Sequence, residues 1–111
     1  MAIIEIQTRI DLPAYEQLVK LDGVNYLIAL YFNPRINNDE GRWFITLGDK
    51  NRNLIVAPVP IVVNWPLFDR FIEFPIPPGT IFAFDTSGQN KDPLQFDLGS
   101  RVRLFYAQKA N

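Results

Sequence analysis

The chain contains no cysteine and no histidine among its 111 residues. Without cysteine there is no disulfide framework, no thiolate metal site and no thiol nucleophile, and the redox compartment stays open. Without histidine, Ser-His-Asp and Cys-His catalysis are excluded, together with the usual zinc ligand sets and the commonest general base. Net charge is scarce as well. Eleven basic against 12 acidic residues leave −1, so no global field favours nucleic acid or an anionic membrane. Long apolar runs are missing: no stretch reaches the ~20 residues of a membrane span, and the opening MAIIEIQTRID has neither the basic start nor the apolar segment of a signal peptide. The expectation is a soluble protein made in the cytoplasm, with no metal, no cofactor, no membrane and no specific nucleic-acid partner.

What is present is apolar and aromatic. Nine Phe, four Tyr and two Trp in a chain that is 48% hydrophobic suffice for a core in one domain over residues 1–111. Helical periodicity is almost absent, while short β-branched and aromatic runs recur between Gly, Pro, Asn and Asp clusters. That pattern predicts an all-β fold, a small antiparallel sandwich or barrel of about seven strands near 2–8, 14–21, 24–33, 41–48, 53–63, 80–85 and 101–107. At most one helical turn is expected, starting at Pro66.

The clearest local signal is Asp22-Gly23 between two strand patterns, a dipeptide suited to a tight hairpin turn. In the strand that follows, Val24, Tyr26, Ile28, Leu30 and Phe32 share one face and Leu27, Ala29 and Tyr31 the other. Both faces are apolar, which predicts a central strand. Trp43, Ile45 and Leu47 alternate into the core, as do Val102 and Leu104, whereas Arg101 and Arg103 face out at little expected cost to stability when truncated. Three prolines at positions 58, 60 and 66 make the run around 58–63 an edge strand or a segment leaving the sheet. The segment 33–41 reads as a solvated loop.

Three chemistries compete around Asp85. A dimeric viral-type aspartic protease is also a roughly 100-residue all-β chain, but its catalytic turn has Asp, then Thr or Ser, then Gly in succession. Here Thr86 and Ser87 both separate Asp85 from Gly88. Calcium on Asp85, Asp92 and Asp97 lacks a compact ligand-loop spacing. The third reading is a capped turn in which Asp, Thr and Ser oxygens accept backbone N–H groups and Gly88 takes a positive φ. A small barrel binding glycans or single-stranded nucleic acid on Trp43, Trp65 and the tyrosines is a further alternative, although the spread of these rings along the strands points to core packing.

From Thr86 to Ser100 there are 15 residues without a strand pattern, and loops of that length are usually functional or disordered. Leu94, Phe96 and Leu98 punctuate it. The expected arrangement is a loop pinned at both ends, by Asp85, Thr86, Ser87 and Gly88 and by Asp97 and Gly99, that offers its apolar residues to a neighbour. The first strand, with Ile3, Ile4 and Ile6, and the proline-limited strand are the expected free edges.

The segments GRWFITLGD, PPGTIFAFDTSGQNKDP and FDLGSRVRLFYA, with the opening IEI and LDGVNYLIALYFN, resemble the phage baseplate plug family, small proteins of contractile-tailed, cyanophage-type viruses. The resemblance runs over residues 3 to 107 and is most specific at Asp85-Thr86-Ser87-Gly88, Asp97-Leu98-Gly99 and Arg101 to Leu104, closed by Tyr106. It implies a non-enzymatic structural virion protein of the myophage tail baseplate, closing the lumen of tube and hub on the tail axis. The implied partners are the hub, spike and tube or tape-measure proteins of the same virion, and copies of the chain itself in a ring.

Overall fold

The computed structural model describes residues 3–9, 11–35, 41–68, 76–94 and 97–108. Seven strands are seen among them: β1 (Ile3–Ile6), β2 (Ala14–Leu21), β3 (Val24–Asn33), β4 (Arg42–Asp49), β5 (Leu54–Pro60), β6 (Thr80–Asp85) and β7 (Val102–Ala107). They form two antiparallel sheets, one of order β2-β3-β4-β5 and one of order β1-β7-β6. No described residue is helical. Pro66 to Phe68 do not start a helix. Pro66 bridges Phe82, and Asn64 and Leu67 donate their N–H groups to the carbonyls of Ala83 (2.8 Å) and Ile81 (2.9 Å). The segment therefore lines the side of β6 that would otherwise be an open edge.

The Asp22-Gly23 hairpin forms as its sequence demands. Both residues have positive φ, 50° and 81°, the pair of left-handed values required by the turn whose twist matches its strands. β3 lies between β2 and β4 and is central within its sheet. β5 is an edge, and two register irregularities break its alternation: Ile45 pairs Val59 while Leu47 pairs Val56, and Gly48 pairs Leu54. Each inserts one residue on the proline-bearing strand, so Val56 and Val59 both turn inward and Pro58 stays exposed.

The inward faces of both sheets meet in one cluster. Tyr26, Ile28, Leu30, Trp43, Ile45, Leu47, Val56 and Val59 come from the larger sheet, and Ile6, Ile81, Ala83, Val102, Leu104 and Tyr106 from the smaller. This is a sandwich, with the alternation of β4 and β7 deciding which residues face the core. Ile6 is fully buried in that cluster. Its side chain is thus unavailable to a neighbour, contrary to the expectation that it serves an edge contact. Ile3 and Ile4 remain exposed on β1, which has β7 as its only strand neighbour among the described residues.

Tyr106 links the layers. Its hydroxyl donates to the Asp22 carboxylate on the β2–β3 turn and accepts the Gly79 N–H at 2.8 Å. Burial and the Asp22 hydrogen bond push the hydroxyl up to about 12. Gly79 must lack a side chain here, because a Cβ would stand 2.2 Å from the Ala107 carbonyl and 2.7 Å from the Tyr106 ring. Tyr106→Phe is expected to lower stability by about 1–2 kcal/mol, measured by denaturant unfolding. Because this pKa is raised above the ordinary tyrosine value of about 10, its contribution is complete below that value and declines as pH rises toward about 12. The alkaline decline should be weaker in the phenylalanine variant.

Candidate functional site

The polar groups of the chain converge where β6 ends and β7 begins. Asp85 closes β6 with a side chain that has no solvent exposure at all, the one buried charged residue among those described. One carboxylate oxygen accepts the Ser87 N–H at 2.9 Å and the Ser87 hydroxyl at 2.6 Å. The other accepts the Lys91 N–H at 3.1 Å and the Arg101 guanidinium at 2.5 Å. The Gly88 N–H returns to the Asp85 carbonyl at 3.2 Å, with Gly88 at φ 82°. Thr86 donates both its N–H and its hydroxyl to the Arg101 carbonyl at 2.8 Å. The capped turn anticipated from Asp85-Thr86-Ser87-Gly88 is what these atoms build.

The second pin is equally local. Asp97 accepts the Leu94 N–H at 2.9 Å through its side chain, and its carbonyl accepts the Val102 N–H at 2.9 Å. Gly99, at φ 96°, donates to the Val102 carbonyl at 2.7 Å.

Arg101 joins the two pins. Its guanidinium donates to Asp85 (2.5 Å), Asp97 (2.8 Å) and the carbonyls of Lys91 (2.8 Å) and Asp92 (3.2 Å). Arg101 does not face solvent as expected. A planar fork with five donors fits a ring of acceptors that an outward charge would never meet, and its side chain is only 18% exposed. Arg103 does behave as a surface residue, paired with Glu5 at 3.3 Å.

The loop is also tied down at its middle, beyond the two expected pins. The Asp92 carboxylate accepts the Val63 N–H and an Arg42 N–H, each at 3.0 Å. The Trp43 indole N–H reaches out of the core to the Leu94 carbonyl at 2.8 Å. Residues 90–94 are therefore part of the body, and replacing them with a flexible linker would remove structural bonds. No periodicity or motif flags these links, because each joins residues 29 to 51 positions apart.

The apolar residues of the loop divide. Leu98 is fully buried in the core, so it is not offered to a neighbour: its bridge to Val102 folds it under the loop. Leu94 is 39% exposed. Phe96 lies outside the described residues. Trp43 and Trp65 do not form a shared platform. Trp43 is core, edge-on to Tyr15 and tilted against Phe32, whereas Trp65 is 66% exposed and walls an open cleft of about 330 Å³ with Pro66, Thr80 and Phe82.

The electrostatics follow from this geometry. Burial pushes the Asp85 carboxyl upward, but the hydrogen bonds from Ser87, Lys91 and Arg101 outweigh it and hold the carboxyl well below its ordinary value. At Asp97 burial likewise acts upward, and Arg101 with the Leu94 N–H overcomes it. A carboxylate in this state accepts and does not titrate near neutrality. The stabilising contribution of both is fully present above the unfolded carboxylate value of about 3.9 and is lost as pH falls through the depressed folded values. Denaturant midpoints measured from about pH 6 down to pH 2 should therefore drop steeply below about pH 4. Asp97→Asn should soften that drop, and an unchanged acid limb would show that the carboxylates are not its source.

Asp85 and Asp97 share the Arg101 guanidinium, whereas the Asp92 carboxylate turns to Arg42 and the Val63 N–H, so the three carboxylates of the calcium reading do not converge on one point among the described residues. The aspartic-protease reading meets the same arrangement, since Asp85 points into the protein and is saturated by donors. Fold and polar cluster define an all-β sandwich whose ionic residues hold a loop in place.

The chain belongs to the cyanophage baseplate plug family. The family model described as cyanophage baseplate Pam3 plug gp18 matches residues 1–109. A search of curated proteins gave no match. Membership agrees with the resemblance carried by the Asp85 and Asp97 turns and supports a structural role in the baseplate.

Proposed function

We propose that this protein closes the lumen of the tail tube and hub on the axis of a contractile phage tail, as a single non-enzymatic domain. The observation that carries the reading is the family match over residues 1–109. The clamped loop supports it: a plug must keep its shape under load, and residues 86–94 and 97–100, tied by Arg101, Asp92 and Trp43, are held to the body of the domain. The partners proposed are the hub, spike and tube or tape-measure proteins, with copies of the chain in a ring. Several modest contacts multiplied by copy number hold firmly yet release together once the geometry changes. Leu94 on the loop and Ile4 on the β1 edge are the proposed contact residues on this chain, both exposed. The protein is made in the host cytoplasm and resides in the virion.

The test is quantitative mass spectrometry of purified virions against the hub protein, with a tail reconstruction at side-chain resolution. Density for this chain on the axis, in whole-number ratio to the hub, is expected. Density on the baseplate periphery with an open lumen would refute closure.

A further inference from the structure

Three of the sheet edges are short, covered or interrupted. β1 has only four residues, Val63 to Leu67 line β6, and prolines with two register irregularities break β5. β2 differs: its eight residues keep unbroken register with β3, and no backbone hydrogen bond among the described residues reaches its other side. The hairpin fixes which groups face that side. Across the two-residue Asp22-Gly23 turn Leu21 and Val24 form a bonded pair, and bonded pairs recur at every second residue, so Val19, Gln17 and Tyr15 also bond to β3. The Phe32 N–H on the Pro13 carbonyl at 2.8 Å continues the same series. Ala14, Glu16, Leu18 and Lys20 therefore turn their N–H and C=O groups away from the sheet, and all four are exposed. Arg52 holds Oε1 of Glu16 and leaves Oε2 open, while the Lys20 ammonium has no ion-pair partner among the described residues.

We propose that the free chain pairs with a second copy of itself along β2, antiparallel about a two-fold axis at Leu18, so that two four-stranded sheets become one. Charge selects both the occupant and the register. In this pairing Leu18 meets the second copy's Leu18, Glu16 meets its Lys20, and Lys20 meets its Glu16, each at a bonded position of the new ladder. The other registers that bring outward groups together lack this match. Centred on Glu16 or on Lys20, like charges meet; centred on Val19, Glu16 meets Asp22; centred on Gln17, Glu16 meets Leu18 and Lys20 meets Ala14. Like charges directly opposite destabilise a strand pair and opposite charges stabilise it. An edge lysine ordinarily deters pairing, but a glutamate four residues before it cancels that deterrent for an antiparallel copy. The contact is narrow, about six backbone hydrogen bonds with the leucine and charge pairs, which is the scale of a weak, reversible complex. It goes beyond the ring proposed for the virion: a two-fold pair is the form of the chain before incorporation, when it covers the long open edge.

The chain has no cysteine, so Leu18→Cys in the full chain reports the contact directly. Opposed Cα atoms of a bonded antiparallel pair lie about 5.5 Å apart, within the reach of a disulfide. Under mild oxidation Leu18→Cys should form a covalent dimer at least about tenfold faster than Leu54→Cys, because pairing holds its thiols together. Leu54 is the more exposed of the two, 65% against 55%, and lies on the opposite edge strand. Equal rates would overturn the β2 contact. Charge then tests the register. Adding Glu16→Lys or Lys20→Glu to Leu18→Cys should slow the linking of each variant with itself, since like charges meet. Mixing the two should restore it, as a heterodimer resolved by mass, since every charge again faces its opposite. No gain on mixing would overturn the pairing and leave Glu16 and Lys20 as guards of a solitary edge. Should a charge variant fail to fold, the comparison of Leu18→Cys with Leu54→Cys still decides. The readout is made on isolated protein, so it stands or falls separately from the lumen-closing position, which the virion reconstruction tests.

Discussion

Trp43→Ala is expected to be the most damaging single truncation, lowering the unfolding free energy by about 3–5 kcal/mol. Trp43 is the largest side chain with no exposure, and it packs against Tyr15 and Phe32 at ring separations of 6.4 and 5.7 Å. Its removal opens a cavity between the sheets and also leaves the Leu94 carbonyl without its indole donor. Trp43→Phe separates the two effects, since it refills most of the volume but restores no hydrogen bond. That variant should lose about 1–2 kcal/mol, and hydrogen exchange should quicken in residues 91–94 while the centre of β3 stays protected. Equal loss of protection in both places would mean that the indole N–H does not specifically anchor the loop.

Arg101→Ala should cost about 2–4 kcal/mol, because it removes four charge-assisted bonds and leaves a buried carboxylate beside it without its cation. Arg103→Ala, two residues further on and within β7, should cost well under 1 kcal/mol, as exposed ion pairs do. Arg101→Lys keeps the charge but not the fork, so it should recover only part of the loss. The acid limb of stability should flatten in Arg101→Ala, since the pKa depression at Asp85 and Asp97 depends in part on this guanidinium. Matched denaturant midpoints for Arg101→Ala and Arg103→Ala would remove the clamp from the account of this fold.

Much of the architecture was determined locally. A strand's side chains alternate with period two whatever lies around it, so Trp43, Ile45 and Leu47, and likewise Val102 and Leu104, could be assigned to the core from their spacing, and all are buried. The Asp22-Gly23 turn needs only the left-handed tolerance of its own two residues. The Asp85 and Asp97 turns are legible for the same reason, their main partners lying within six residues.

Tertiary structure alone decided the rest. Whether Ile6 and Leu98 face a core or a neighbour depends on what the opposite sheet presents, and both proved to be buried. Arg101 and Arg103 are indistinguishable as residue types, but the carboxylates and carbonyls that gather at one and not the other come from a loop whose path is set by Arg42, Trp43 and Val63. β3, whose two apolar faces marked it as a central strand, is central within its sheet, yet its outward Leu27, Ala29 and Tyr31 are only half-buried among the described residues. A hydrophobic pattern reports that a face seeks burial. It carries no information on whether the covering surface is supplied by the same chain or by another.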